Sequence, residues 1–341
     1  MQKKEVTIYD IAKSLKVSAA TVSRGLKDHP SISKKTCKRI KETARQMGYQ
    51  SNALASSLRT SKSFTFGVIV PRLNSNFMST VLAGMEKAAV EQGYHLIIMQ
   101  SFESEEKEKE CAKLLFNHRV DGLLVSTSSG SHSVKYFNPF FQKKIPVVFF
   151  DRSPIESQEY NSITIDNTRA GYELTKILLQ ADAQNLLHIT GNTNLLVYQQ
   201  RLNGFRNALA EFNKPYSPKM VWETGLSVED GEKAAERILR MKTLPDAIFV
   251  SNDTCAITII HHLRKNKIKI PEQIQISGFN NDPFSAFLTP GLTTVKYPGT
   301  KMGLETVRTI LGLIENKHKK HIHKLLDFEL MIRESTKIKK T

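Results

Sequence analysis

From about Ser63 to the carboxyl end, short apolar runs alternate with longer amphipathic stretches, and this alternation leaves few architectures open. Strand-like runs fall at Thr65–Val70, His95–Gln100, Gly122–Ser126 and Val147–Phe150, then at Leu186–Ile189, Ala247–Ser251 and Gln275–Gly278. Between them the period turns helical, over Val81–Gln92, Glu105–Asn117, Arg169–Ala181, Arg201–Phe212, Glu229–Met241 and Thr254–Asn266. A strand that returns through a helix must run parallel to its neighbour, with helices packed on the sheet faces. Two sets of strands predict two doubly wound parallel-sheet subdomains. Hydrophobic residues at 40% suffice for cores of that size. Neither a Gly-x-Gly-x-x-Gly nor a Gly-x-x-x-x-Gly-Lys-Ser/Thr string follows any of these strands, which leaves dinucleotide and P-loop sites without support.

The first sixty residues are built differently. Ile8, Ile11, Ala12 and Leu15 form one apolar helical face behind Thr7 as N-cap. After a tight break at Lys16 and Val17, Ser18 caps a second helix through about Leu26, with Val22 and Leu26 inward. Ser33 caps a third, whose stripe is Cys37, Ile40, Ala44 and Met47, and Gly48 ends it. Two short helices joined by a tight turn predict a helix-turn-helix, although a three-helix core without a DNA role has the same periodicity.

Charge separates the two parts further. The chain carries a formal net charge of +16, and residues 1–62 hold fourteen Lys/Arg against four Asp/Glu. A compact basic head on a milder body is the footprint of a polyanion-binding module. Cys37, Cys111 and Cys255 show neither disulfide spacing nor a CxxC pair, which fits a reducing compartment. The N-terminus has no apolar signal core and no apolar run is long enough to span a bilayer, so a cytoplasmic protein without membrane contact is expected.

The strings "VTIYDIAKSLKVSAATVSR" and "SISKKTCKRIKETARQMGYQSNALASSLRT" closely resemble the headpiece and hinge of the LacI/GalR family of bacterial transcription regulators, nearly unbroken from Val6 to Thr60. That resemblance implies a headpiece over 1–49 and a hinge with its linker over 50–62. It places Ala19, Ala20 and Arg24 against base edges in the major groove. Arg24 can fork onto guanine O6 and N7, a contact worth about 1–3 kcal/mol of discrimination. Thr7, Tyr9, Ser18, Thr21, Ser23 and Asn52 take phosphate-positioning roles, against the plainer reading of caps and solvated side chains. Ala55 and Leu58 belong to the hinge, where Leu58 is implied to wedge into a minor-groove base step. A helix of about seven residues is too short to persist alone, so it is expected to fold only when paired over DNA.

The body resembles the periplasmic-binding-protein-like core of the same family, through "FTFGVIVP", "RVDGLLV", "SITIDNTRAGYELT", "RLNGFRNAL", "DAIFVSNDTCAI" and "ISGFNNDPFSAFLTPGLTTV". The whole is thus expected to be a small all-α helix-turn-helix headpiece plus an α/β core, 63–341, of two subdomains. The chain would cross between them near Ile163, Leu292 and Leu325, giving 63–162 with 292–324, and 163–291 with 325–341. Ligand would sit between them at the carboxyl ends of the strands. The implied effector residues are Ser75, Asn76, Phe77, Asp151, Arg201, Leu226, Asn252, Asp253 and Asn280. Amides, carboxylates and a guanidinium suit a sugar or sugar derivative, with Phe77 offering a face to its ring. Asp151 and Asp253 read equally well as caps at strand-to-helix turns.

Two departures narrow the ligand. Where the family usually has "GFD" this chain reads "GFNN", so Asn280 offers an amide in place of a carboxylate. Leu195 and Val197 are apolar where a purine-responsive member has polar residues, which disfavours a purine. His318, His321 and His323 lie in "ENKHKKHIHK", which reads as a solvated basic turn, so no metal is expected. Nor is a cofactor. The expected protein is a dimeric, sugar-responsive repressor of a palindromic DNA operator, and not an enzyme. A transporter-associated solute-binding protein is the alternative from the core alone.

Overall fold

The computed structural model describes residues 6–49, 62–128, 134–154, 159–315 and 320–337. The chain divides into two compact units, Met1–Ser63 and Phe64–Thr341.

The first unit holds α1 (Ile8–Leu15), α2 (Ala19–Leu26) and α3 (Lys34–Gln46). Their inward stripes meet in one small core of Ile11, Ala12, Val22, Ile40 and Ala44. Each helix starts where a hydroxyl residue precedes it. Ser18 Oγ accepts from the Thr21 N–H, and Ser33 Oγ from the Thr36 N–H. At Thr7 the direction is reversed, because the Asp10 carboxylate accepts from both the Thr7 N–H (2.8 Å) and its hydroxyl (2.7 Å). Lys16, at φ 53°, makes the break between α1 and α2.

The second unit contains two parallel sheets. The first joins β1 (Thr65–Val70), β2 (His95–Gln100), β3 (Gly122–Val125), β4 (Val147–Phe150), β5 (Asn161–Ile165) and an edge strand at His323–Leu326, in the order β2-β1-β3-β4-β5-edge. The second joins β6 (Leu186–Thr190), β7 (Val221–Glu223), β8 (Ala247–Val250) and β9 (Gln275–Ser277) in the order β7-β6-β8-β9. Each sheet therefore reverses direction next to its first strand, between β1 and β3 and between β6 and β8. Such switch points open a crevice at the carboxyl ends of the strands. Strands β3, β4 and β8 are buried along their whole length, as expected of parallel strands covered on both faces.

Helices α4 (Asn76–Glu91), α5 (Glu105–Asn117) and the short α6 (Asn138–Gln142) belong to the first lobe. The second lobe has α7 (Asn167–Gln180), α8 (Leu196–Glu211), α9 (Val228–Leu239), α10 (Asp253–Lys265) and the single turn α11 (Phe284–Phe287). The rest of the chain holds β10 (Thr294–Lys296), α12 (Gly299–Ile314), which packs on α4 and the first sheet, the edge strand, now β11, and β12 (Glu329–Met331), which pairs antiparallel with β10.

Helix α12 was not among the helices expected from periodicity, because Gly299 and Gly303 depress its helical propensity. The fold needs them. A Cβ on Gly303 would lie 2.0 Å from the Val81 carbonyl oxygen of α4, so only glycine permits this helix crossing. In the other lobe Gly204 of α8 plays the same part, 2.1 Å from the Thr168 carbonyl.

The passages also lie later than the sequence suggested. Ile163 and Leu325 are still inside the first sheet, paired as Lys324↔Ile163 and Leu325↔Thr164. Leu292 precedes β10, whose neighbourhood is tied to the second lobe by the bridges Ser277↔Thr293 and Asn280↔Lys296. The ladders of β5, β10 and β11 carry polar residues, so their continuation was not visible as apolar runs.

Candidate functional site

In the first unit, α2 presents Ala20, Arg24 and Ser18 to solvent, while Thr21 and Ser23 are half-buried. Ala19 is partly covered and packs against the three-helix core, so Ala20 is the freer of the two alanines. Tyr9 is 71% exposed at the start of α1, beside exposed Thr7. Ser18 and Thr21 are joined by a 2.9 Å hydroxyl contact, which fixes both side chains at the amino end of α2. Arg24, Lys13, Lys16 and Lys27 are exposed and enter no ion pair among the described residues, whereas Lys41 pairs with Asp28. A helix amino end carrying hydroxyls, with exposed cations nearby, is suited to phosphates. Asn52, Ala55 and Leu58 lie outside the described residues.

In the second unit, one cavity of about 400 Å³ opens between the lobes. Its walls come from the carboxyl ends of β1, β4 and β8 and from the first turns of α4, α8, α9 and α10. Of the residues expected there, Ser75, Asn76, Phe77, Asp151, Arg201, Leu226, Asn252 and Asn280 lie on the cavity wall or, for Asn76, beside it. Asn76 Nδ2 reaches Asp282 Oδ1 across the cleft at 3.4 Å. Asn252 caps α10, accepting from the Cys255 N–H at 2.9 Å and donating to the Leu226 carbonyl at 3.0 Å.

Arg201 is buried at 4% exposure. Its Nε donates to Asn167 Oδ1 and its Nη1 to the Ser251 carbonyl, both at 3.0 Å. The guanidinium lies 3.5 Å over the Phe279 ring, a cation–π contact that offsets part of its burial. Asp151 stands in the left-handed region at φ 58° and accepts from the Tyr297 hydroxyl at 2.9 Å. Burial pushes its carboxyl up, against the pull of Arg152 and Arg201.

Residues 63–327 match the family described as periplasmic binding proteins and sugar binding domain of LacI family, and residues 7–52 match bacterial regulatory proteins, lacI family. The chain belongs to the LacI family. Among its relatives, catabolite control protein A of Priestia megaterium is 28% identical over 334 residues, 97% of this chain and 99% of the relative. The HTH-type transcriptional regulator DegA of Bacillus subtilis (strain 168) is 30% identical over 334 residues, 97% and 98% of the two chains. Among solved structures, transcription regulator CcpA of Lactococcus lactis has a TM-score of 0.74 at 27% identity, covering 80% of this chain and 99% of that one. A lac repressor dimer, bound to operator and an anti-inducer, shares the fold with a TM-score of 0.86 at 23% identity, covering 98% and 99%. This LacI-family chain is a DNA-binding transcription regulator.

Two residues of the LacI-family cleft differ from the sequence reading. Asp253 does not line the cavity. It is fully buried behind the wall, where its carboxylate accepts from the Thr294 hydroxyl and the Asp282 N–H, each at 2.7 Å. Burial raises its pKa to about 7. Phe77 lines the cavity, but one face is taken, since its ring stacks on Tyr297 with centroids 4.2 Å apart and planes 6° apart.

Several wall residues were missed. Tyr297 sits on an interlobe passage with no motif of its own. Arg152 donates twice to Glu103 (3.0 and 2.8 Å), and Arg72 approaches the same carboxylate at 3.4 Å. Tyr198 lies 3.4 Å from Arg152 and faces Arg201. Asp282 supplies a carboxylate two residues after Asn280, so the "GFNN" departure relocates an acid without removing it from the cleft. Its position in "GFNND" was the available signal. Leu195 and Val197 are both buried, and Val197 reaches the cavity as an apolar contact.

Proposed function

We propose that this regulator is a repressor, which binds a palindromic operator as a homodimer and changes its operator affinity when a small polyol occupies the cleft between its lobes. One observation carries the reading: polar side chains from both lobes converge on a cavity between them, with Asn76 of one lobe reaching Asp282 of the other. A ligand bridging two lobes interacts differently with each lobe arrangement. Such a difference in affinity is what couples a binding site to a distant equilibrium, typically by 1–3 kcal/mol.

The dimer is supported by apolar side chains that stay exposed on the single chain. Phe284 and Phe287 of α11 are 74% and 83% exposed, and Val90 of α4 and Ile98 of β2 are also uncovered. Large exposed apolar groups of this kind favour association. No helix among the described residues is long and apolar enough to cross a membrane, and a DNA partner favours a site of action in the cytoplasm.

The test is selection from a random duplex pool, followed by gel shifts on the selected site with and without a sugar panel, and sizing of the complex. A palindromic consensus, two chains per duplex and a ligand-dependent shift are expected. Absence of any preferred sequence at low salt overturns the reading.

A further inference from the structure

We infer that a second pocket, beside the effector cleft, binds one neutral sugar ring, either the second unit of an oligosaccharide effector or a separate monosaccharide. The inference rests on the cleft being the effector site for its ligand class, and adds a place outside that cleft.

The pocket follows from how the first sheet is covered. A parallel sheet normally carries helices on both faces. At the β5–β11 edge, one face holds Ile163, Ile165 and Leu326, which join the main core on the side where α12 packs. The other face is roofed by α5 and α6 through Ile69, Leu123, Val125, Val147 and Phe149, and this buried apolar layer ends at β4. Strand register sets Ser162 beside His323 and Thr164 beside Leu325 on that second face, past the end of the roof. A cavity of about 410 Å³ lies there. Its far wall is the start of α8, at Leu196, Val197 and Gln200, so the two lobes enclose it together. The volume is within the range that holds a whole small ligand, about 300–1,000 Å³.

Polar groups on its wall are short of partners. Ser153 is 5% exposed, yet its hydroxyl forms no hydrogen bond among the described residues, and the same holds for the Thr164 hydroxyl and the Gln200 amide. Buried hydroxyls are seldom left unserved. Ser162 Oγ and His323 Nδ1 meet at 3.1 Å on the same wall.

The bordering charges are already committed. Asp151 accepts from the Tyr297 and Ser126 hydroxyls. Lys324 pairs with Glu305 of α12 at 2.6 Å, on the other face of the sheet. An ion would enter this pocket without a counter-charge, which is costly. Hydroxyls, an amide and an imidazole beside apolar Leu196, Val197 and Leu325 suit a neutral ring of hydroxyls with one apolar face.

Asp151 and Val197 line both this pocket and the cleft, so the two adjoin. A ring held between β5 and β11 of one lobe and α8 of the other favours one lobe arrangement, as the effector does.

Calorimetric titration of the full chain tests this with glucose, galactose, fructose and ribose against maltose, cellobiose, lactose and trehalose. Parent, Gln200→Leu and Thr164→Val are compared. If the ring belongs to an oligosaccharide, a disaccharide should bind at one per chain, about fivefold or more tightly than its monosaccharides, the scale of one hydrogen bond. If it is a separate molecule, a monosaccharide should bind at two per chain. Gln200→Leu should remove that gain or that second site and leave the remaining binding unchanged. Thr164→Val, which keeps the side-chain shape and drops the hydroxyl, gives the same readout if the first variant does not fold. Affinities and stoichiometries that neither substitution moves overturn the pocket and leave the effector cleft standing. Loss of a sole monosaccharide site in both variants places that sugar in the pocket and overturns the cleft as its site. No binding by any member of the panel overturns both.

Discussion

Tyr297 donates its hydroxyl to Asp151 across 2.9 Å, joining two residues 146 positions apart. Asp151 ends β4 of the first lobe, while Tyr297 follows β10 on the passage into α12. The same Tyr297 ring stacks on Phe77 and stands 5.9 Å from the Arg201 guanidinium. One side chain therefore fixes the carboxylate, the aromatic wall and the neighbourhood of the buried cation.

Removing that hydroxyl tests the arrangement. Tyr297→Phe keeps the stack and strips the Asp151 carboxylate of its shortest hydrogen bond. A buried acceptor left short of a donor costs about 1–3 kcal/mol, measured as a lower urea midpoint. Effector affinity should fall with it. Unchanged stability and affinity would show that Asp151 is held by other contacts.

His188 of β6 should by itself favour unfolding in acid. It is fully buried between Phe205 and Phe249, with Nδ1 3.1 Å from the Phe249 carbonyl and Nε2 without a partner among the described residues. Burial drives its pKa down to about 3. An unfolded histidine titrates near 6.5 and takes up a proton that the native one refuses, so stability falls as pH drops below that value. Between pH 7 and 5 the loss is about 2 kcal/mol. In His188→Gln this loss should be absent, so the stability difference between variant and parent should change by about 2 kcal/mol between pH 7 and 5.

Asp253 works in the opposite sense. Its native pKa of about 7 lies above the usual carboxylate range. The native state therefore holds a proton that the unfolded chain has released, and stability rises as pH falls from 7 towards 4. From pH 7 to 5 the gain is about 2 kcal/mol, nearly cancelling the His188 effect. The parent should be almost flat over that range from these two groups, with Asp253→Asn exposing the histidine slope and His188→Gln the aspartate slope. Parallel curves for parent and Asp253→Asn would refute the assignment.

Arg24→Ala separates base reading from phosphate attraction. Arg24 is exposed and enters no ion pair among the described residues, and the exposed Lys13, Lys16 and Lys27 are unchanged in the variant. Loss at the selected site should be about 1–3 kcal/mol, with salt-sensitive nonspecific binding retained. Equal losses on all duplexes, seen in competition gel shifts, would remove Arg24 from direct readout.

The helix starts show how far a sequence can be read. The apolar periodicity put α4 at Val81 and α8 at Arg201, yet they begin at Asn76 and Leu196. Their first turns face the cleft, so they carry no complete core stripe, and period-based reading begins only where the stripe does. The cleft residues on these first turns are consequently the ones that periodicity leaves out. Those recovered came from motif resemblance.

The sequence by itself determined the three-helix head with its hydroxyl caps, the strand–helix alternation of the core and the concentration of basic charge at the amino end. Each follows from interactions within a few residues, or from charge counted along the chain. Only the tertiary structure decided that Asp253 turns away from the cavity, that Tyr297 covers Phe77 and that Arg201 donates to Asn167 Oδ1 and the Ser251 carbonyl. Those outcomes depend on contacts between residues as far apart as 77 and 297, made where chain passages cross between lobes, and spacing along the chain carries no record of them.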